Sequence, residues 1–253
     1  MKKLQYIFLV LIASVLGMLY ACKGVSESPS NGGGGNAGIA GSMARFAIVE
    51  NVLYTVTTQK LMIFDISNEQ SPVARGEKAI GFNIETIFPY KNYLFLGSQS
   101  GMQIFDNSNP LVPTWISTYS HIMSCDPVVV QGQYAYLTLR TASACMRGAN
   151  QLEIIDISNP KAPKLINVIS MINPHGLGVD GDKLFVCEGN NGLKVFDISN
   201  PVSPLLQLTL SNIETYDVIP NNNVLIVTGK GGISQYDYSK KGELTLLSQI
   251  AVE

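Results

Sequence analysis

The chain has 253 residues, 46% hydrophobic and 14% charged, with a formal net charge of −2. That content supports a folded domain with a core and argues against disorder, which goes with low hydrophobicity and high charge. The near-neutral balance leaves no basic footprint, so a nucleic-acid partner is not expected.

In chain order, Met1-Lys2-Lys3 is a positive n-region and Leu4 to Leu19 is an apolar run, together an export signal. A run of about 16 residues is near the lower limit for a permanent membrane span. It ends in Leu19-Tyr20-Ala21-Cys22, which resembles the lipobox of bacterial lipoproteins, where a cysteine after a small residue receives a diacylglycerol before cleavage. The resemblance implies a signal peptide over 1–21, lipidation at Cys22, the membrane as a partner, and a cell-envelope location, outer membrane being the expectation. Loss of Lys2 and Lys3 shifts the net charge to −4. Residues 22–42 are rich in Gly, Ser and Asn, the composition of a flexible tether spanning about 25 Å. The Gly32–Gly35 run follows no strand and precedes no Gly-Lys-Ser/Thr, so it is not a phosphate loop.

From residue 43 to 253 one phrase recurs: LMIFDISNEQSP (61–72), MQIFDNSNPLVP (102–113), LEIIDISNPKAP (152–163), LKVFDISNPVSP (193–204) and, degenerate, ISQYDYSKKGEL (233–244). Its aspartates, Asp65, Asp106, Asp156, Asp197 and Asp237, fall at intervals of 41, 50, 41 and 40, the long one holding the insertion TASACMRGANQ (141–151). Within each repeat, apolar runs of about five to seven residues are separated by Gly, Asn and Pro, as in an all-β chain. Asp180-Gly181 reads as the centre of a type I′ hairpin turn, which needs positive φ at both positions. Asp-x-Ser-Asn-Pro is a turn in which short polar side chains bond nearby amides and proline fixes φ. Four antiparallel strands per ~41-residue repeat predict a five-bladed β-propeller, with blade boundaries near 81, 121, 172 and 213. Either residues 36–43 add a strand or the ring closes by packing; both remain open here.

LxIxDISNPxxP, preceded in one copy by the strand Tyr134-Ala135-Tyr136-Leu137, resembles the LVIVD repeat of bacterial propeller lipoproteins. The likeness covers residues 43–253, close in four copies and weak in the fifth, where Tyr238-Ser239-Lys240-Lys241 replaces Ile-Ser-Asn-Pro. It implies fold and location; it carries across no catalytic residue and no cofactor.

The start of the innermost strand and the loop between the second and third strands share one end of an antiparallel blade. Aligning the copies puts Ala44, Glu85, Asp126, His175 and Tyr216 in one register near that end, with Arg45, Thr86, Pro127, Gly176 and Asp217 next. Glu85, Asp126, His175, Tyr216 and Asp217 are polar where a structural strand would be apolar, so they are the candidate ligand-binding residues. Glu85, Asp126 and His175 are ligand types for a metal, but no local spacing demands one. Cys125 and Cys145 arrive at the same mouth in an exported chain and are expected to form a disulfide closing a loop of about 20 residues, worth about 3 kcal/mol. Cys187 lies within a strand and reads as a buried thiol. The expected function is a binding module engaging a glycan, peptide or protein at this mouth. The alternative is a glycan-acting enzyme using the carboxylates and His175; no Gly-x-Ser-x-Gly or HExxH motif supports catalysis.

Overall fold

The computed structural model describes residues 41–81, 83–121, 127–141 and 149–252. The expected signal peptide (1–21), Cys22, Asp126 and the expected Cys125–Cys145 disulfide lie outside the described residues. The described chain is all-β: twenty strands form five four-stranded antiparallel sheets, each from four consecutive strands. Blade 1 holds β1 (Phe46–Val49), β2 (Val52–Val56), β3 (Lys60–Asp65) and β4 (Val73–Ala79). Blade 2 holds β5 (Ile84–Tyr90), β6 (Tyr93–Ser98), β7 (Gly101–Asp106) and β8 (Thr114–Ser120). Blade 3 holds β9 (Val128–Gln131), β10 (Tyr134–Leu139), β11 (Gln151–Asp156) and β12 (Lys164–Ser170). Blade 4 holds β13 (Leu177–Asp180), β14 (Lys183–Cys187), β15 (Leu193–Asp197) and β16 (Leu205–Leu210). Blade 5 holds β17 (Thr215–Asn221), β18 (Val224–Gly229), β19 (Gly232–Asp237) and β20 (Thr245–Ile250).

The repeated aspartate explains why each third strand stops where it does. Its Oδ1 accepts the amide of the serine two residues on, at 2.7–2.9 Å, in all five copies. This Asx turn reverses the chain without a helix or a long loop. The degenerate fifth copy keeps it because Asp237 and Ser239, the two residues the bond needs, survive. Past the turn, every fourth strand carries a bulge at the same register, between Ile63/Phe64, Ile104/Phe105, Ile154/Ile155, Val195/Phe196 and Gln235/Tyr236. In two blades the bulged residue returns to the aspartate: Arg75 donates to Asp65 at 2.6 Å and Gln207 to Asp197 at 2.7 Å.

The first hairpin of each blade has a two-residue loop. Its first central residue has positive φ throughout: Glu50, Lys91, Gly132, Gly181 and Asn222. The Asp180-Gly181 expectation is corrected by one residue. Asp180 pairs with Lys183, the loop is Gly181-Asp182, and only Gly181 (φ 57°) is left-handed, the φ pattern of a type II′ turn. Both central residues are left-handed in Asn222-Asn223 alone, a substitution-tolerant choice because Asn enters that region readily.

Packing between blades follows one rule. A large residue in the second strand of one blade meets the second and third strands of the next. Tyr54 packs with Leu94, Leu96 and Phe105; Phe95 with Ala135, Leu137 and Ile155; Tyr136 with Leu184, Val186 and Phe196; Phe185 with Leu225, Val227 and Tyr236. Each of those four aromatic rings is essentially inaccessible to water. Burying such a side chain is worth about 1.5–3 kcal/mol, so these interfaces dominate stability. Blades 2, 3 and 4 are covered on both faces, which is why Leu94-Phe95-Leu96 is a continuous buried run rather than an alternation. Blades 1 and 5 are each covered on one face. Among the described residues no core joins blade 5 to blade 1, and β17 is not packed on β1 as the other neighbouring innermost strands are on one another. Residues 36–40 of the expected extra strand lie outside the described residues; residues 41–43 add no strand, and among the described residues no shared core seals the fifth junction.

Candidate functional site

The mouth is built from the starts of the innermost strands. In β5 the ladder passes from Ile84↔Ser98 to Thr86↔Gly97, leaving Glu85 in a bulge; in β17 it passes from Thr215↔Gly229 to Asp217↔Thr228, leaving Tyr216 in one. Bulges re-aim side chains, so the aligned polar register is also the register at which the strands open toward the mouth. Here Met43, Arg45, Glu85, Thr86, Pro127, Arg140 and His175, from blades 1 to 4, enclose a hollow of about 110 Å³.

Of the residues anticipated, the structure brings Glu85 and His175 to this hollow and sets Tyr216 beside it. Gln99 Nε2 donates to Glu85 Oε1 at 3.1 Å, orienting the carboxylate. His175 is held by its backbone, its N–H donating to the Cys187 carbonyl and its carbonyl accepting from Thr138 Oγ1 at 2.5 Å. Its ring lies 5.8 Å from that of Tyr216, tilted by 45°. A Cβ at Gly189 would run into the Asn173 side-chain amide and sit 3.0 Å from His175 Nε2, so glycine there, at φ 56°, leaves room for both side chains. Burial, and then the neighbouring Arg140 charge, push His175 down to about 4, leaving it neutral at physiological pH; Glu214 opposes this. The Tyr216 hydroxyl donates to Glu214 Oε1 at 2.9 Å.

Asp217 has a different role in this arrangement. Its carboxylate accepts from Ser42 Oγ at 3.0 Å, the Met43 amide at 3.3 Å and the Val218 amide at 3.0 Å, and Ser42 Oγ in turn accepts the Leu177 amide at 2.8 Å. It thus fastens residues 41–43 across blades 4 and 5. Cβ atoms at Gly41 and Gly176 would fall 2.9 and 2.7 Å from its carboxyl carbon, so both glycines make room for it. Burial raises Asp217 to about 6 despite these hydrogen bonds.

The repeat register aligns Arg45 at this mouth without marking it as a site residue, and Arg140 was not anticipated. Arg140 follows the last residue of β10, directly before the blade 3 insertion, and that placement is the signal that could have identified it. Among the described residues, two further hollows are larger than the mouth. One of about 220 Å³ is apolar and axial, lined by β5, β9, β13 and β17 residues such as Phe88, Val129, Val179 and Pro220. The other, about 480 Å³, lies beside blade 5, where Ser234 occupies the register held by Gln103, Glu153 and Lys194 in blades 2 to 4. The mouth gathers ionisable side chains from four blades. Among the described residues no group of three or more His, Cys, Asp or Glu could hold a metal ion, no helix is long and apolar enough to cross a membrane, and Cys187 is a free, fully buried thiol.

The LVIVD repeat model matches residues 40–77, 124–169 and 175–211, which are blades 1, 3 and 4. No curated protein sequence matches the chain. A solved protein from Lactobacillus plantarum is 14% identical over 80% of this chain and 72% of its own, with a TM-score of 0.63. The periplasmic gluconolactonase of Pseudomonas aeruginosa is 13% identical over 82% and 68%, at 0.57. BamB of Moraxella catarrhalis is 10% identical over 88% and 76%, at 0.54. At these identities the likeness is one of fold.

Proposed function

For this chain, which belongs to the LVIVD-repeat proteins, we propose a cell-envelope binding module, tethered through lipidated Cys22, that engages a protein or peptide partner at the mouth. The convergence of Arg45, Glu85, Arg140 and His175 from four blades on one hollow carries this reading. A hollow of about 110 Å³ is smaller than the roughly 300–1,000 Å³ of typical small-molecule pockets, so it suits one side chain of a larger partner. Two guanidiniums beside a carboxylate and a neutral imidazole favour an acidic side chain presented with a hydrogen-bond donor. Loops and strand ends on a rigid scaffold are where such contacts concentrate. The likeness to the periplasmic gluconolactonase of Pseudomonas aeruginosa is a fold precedent for a propeller in that compartment.

A photo-crosslinking amino acid placed at Met43 in the mouth and, separately, at Leu205 on the rim tests the proposal in cells. A discrete adduct from position 43 that is lost on Arg45→Glu, with none from position 205, is the expected result. Adducts from the rim alone, or mouth adducts indifferent to Arg45→Glu, would refute it.

A further inference from the structure

Among the described residues the five blades share four cores. The uncovered face of blade 5 carries Ile219, Ile226 and Ile233, and Ile226 stands at the register of Tyr54, Phe95, Tyr136 and Phe185, yet is partly exposed. Ile233 is 40% exposed. The uncovered face of blade 1 carries Phe46, Leu53 and Phe64. Leu53 and Phe64 stand at the registers of Leu94 and Phe105, which bury Tyr54, yet both are partly exposed, and Phe46 is 54% exposed. Thus the blade 5 face is of the kind that leads into a next blade, and the blade 1 face is of the kind that receives a preceding one.

We propose that a second copy of this chain covers these faces, blade 5 of one copy packing on blade 1 of the next. The argument is continuity with the interface the chain already uses four times. Each internal junction joins a leading face to a trailing face, and among the described residues one copy leaves one of each exposed. A second copy therefore offers the complement without any new surface. Contiguous exposed apolar surface on a sheet face marks an interaction site, and a head-to-tail contact of two unlike faces is heterologous, which closes or propagates according to its rotation.

A polar contact points the same way. In blade 2, Ser117 Oγ donates to the Pro160 carbonyl of the next blade's turn at 2.5 Å, and in blade 3 Asn167 Nδ2 donates to the Val202 carbonyl at 2.8 Å. Ser117 and Asn167 each follow the bulged residue directly, and Ser248 occupies that place in blade 5. Within one copy Ser248 Oγ turns back to Gln235 Oε1 at 3.0 Å. Pro160 aligns with Glu69 of blade 1 and Val202 with Gln70; Ser248 shares its residue type with Ser117, whose contact is the one to Pro160. Packing between copies brings Ser248 to the Glu69 carbonyl of the second copy.

Light scattering on the full chain in mild detergent, over a wide concentration range, tests this. Assemblies of two or more copies are expected, dissociating on dilution. Ile233→Asp and Leu53→Asp, each on one exposed face, should each weaken assembly at least about tenfold while leaving circular dichroism and thermal unfolding unchanged. Mixed together they should form a dimer through the single junction that keeps two intact faces. A Ser248→Cys, Glu69→Cys chain should crosslink between copies. A single-copy mass at every concentration, or a crosslink formed within one chain, overturns the proposal.

Discussion

Asp217 and His175 should pull stability in opposite directions over the same pH interval. Asp217 is raised by burial to about 6, whereas in the unfolded chain it titrates near 3.9. Between those values the native state holds a proton that the unfolded state releases. Its contribution is therefore full below about pH 4 and lost as pH rises through about 6. His175 is depressed by burial and by Arg140 to about 4, against about 6.5 unfolded. Its contribution is full above about pH 6.5 and lost as pH falls toward 4. At about 1.4 kcal/mol per unit each shift has a ceiling of about 3 kcal/mol; both side chains keep some contact with water, so about 1–2 kcal/mol each is expected. The wild type should thus be nearly flat between pH 4 and 6.5. Asp217→Asn should leave the His175 slope, stability falling on acidification; His175→Gln should leave the Asp217 slope, stability falling as pH rises from 4 to 6. Urea unfolding followed by far-ultraviolet circular dichroism from pH 4 to 7.5 measures both. An Asp217→Asn curve parallel to that of the wild type would show that the carboxyl titrates in the native state as it does unfolded, and the reasoning would fail.

Two further expectations concern stability away from the mouth. Glu188 is fully buried and paired with Lys194 at 2.7 Å, so Lys194→Met should destabilise by about 3–5 kcal/mol in chemical denaturation at pH 7, and adding Glu188→Gln should recover most of it. Glu50 and Lys91 hold left-handed conformations at φ 54° and 51°, where glycine carries no steric penalty; Glu50→Gly and Lys91→Gly should each raise the unfolding midpoint, by roughly 1 kcal/mol in free energy.

The propeller was legible because its determinants are local and repeated. An aspartate two residues before a serine makes the same turn wherever it occurs, and the five recurrences in sequence became five Asx turns, the degenerate copy included. The mouth was legible as a place: antiparallel alternation puts one aligned register at one end, and Glu85 and His175 meet there with Thr86 and Pro127. The role of each side chain was less so. Asp217 reads as polar and near the axis, but its task depends on Ser42 and Met43, more than 170 residues away, and no local pattern encodes that pairing. Arg140 is at the mouth through the length of β10, a boundary the periodicity leaves uncertain by a residue or two.

The open junction has a sequence signature of its own. A strand covered on both faces can be apolar at every position, as Leu94-Phe95-Leu96 is; one covered on a single face must alternate. In blade 1 the matching stretch is Leu53-Tyr54-Thr55, with threonine where blades 2 to 5 have Leu96, Leu137, Val186 and Val227. In blade 5 the third strand reads Gly232-Ile233-Ser234-Gln235-Tyr236, with Gln235 at the register of Ile104, Ile154 and Val195. Both softer positions lie on the faces the structure leaves uncovered. Because Ile226, Ile233, Leu53 and Phe64 persist beside them, these faces keep more apolar surface than a face exposed only to water requires. A surface of mixed character, apolar at its centre and polar where the internal junctions are fully dry, is that of an interface that forms and separates rather than one folded once with the chain.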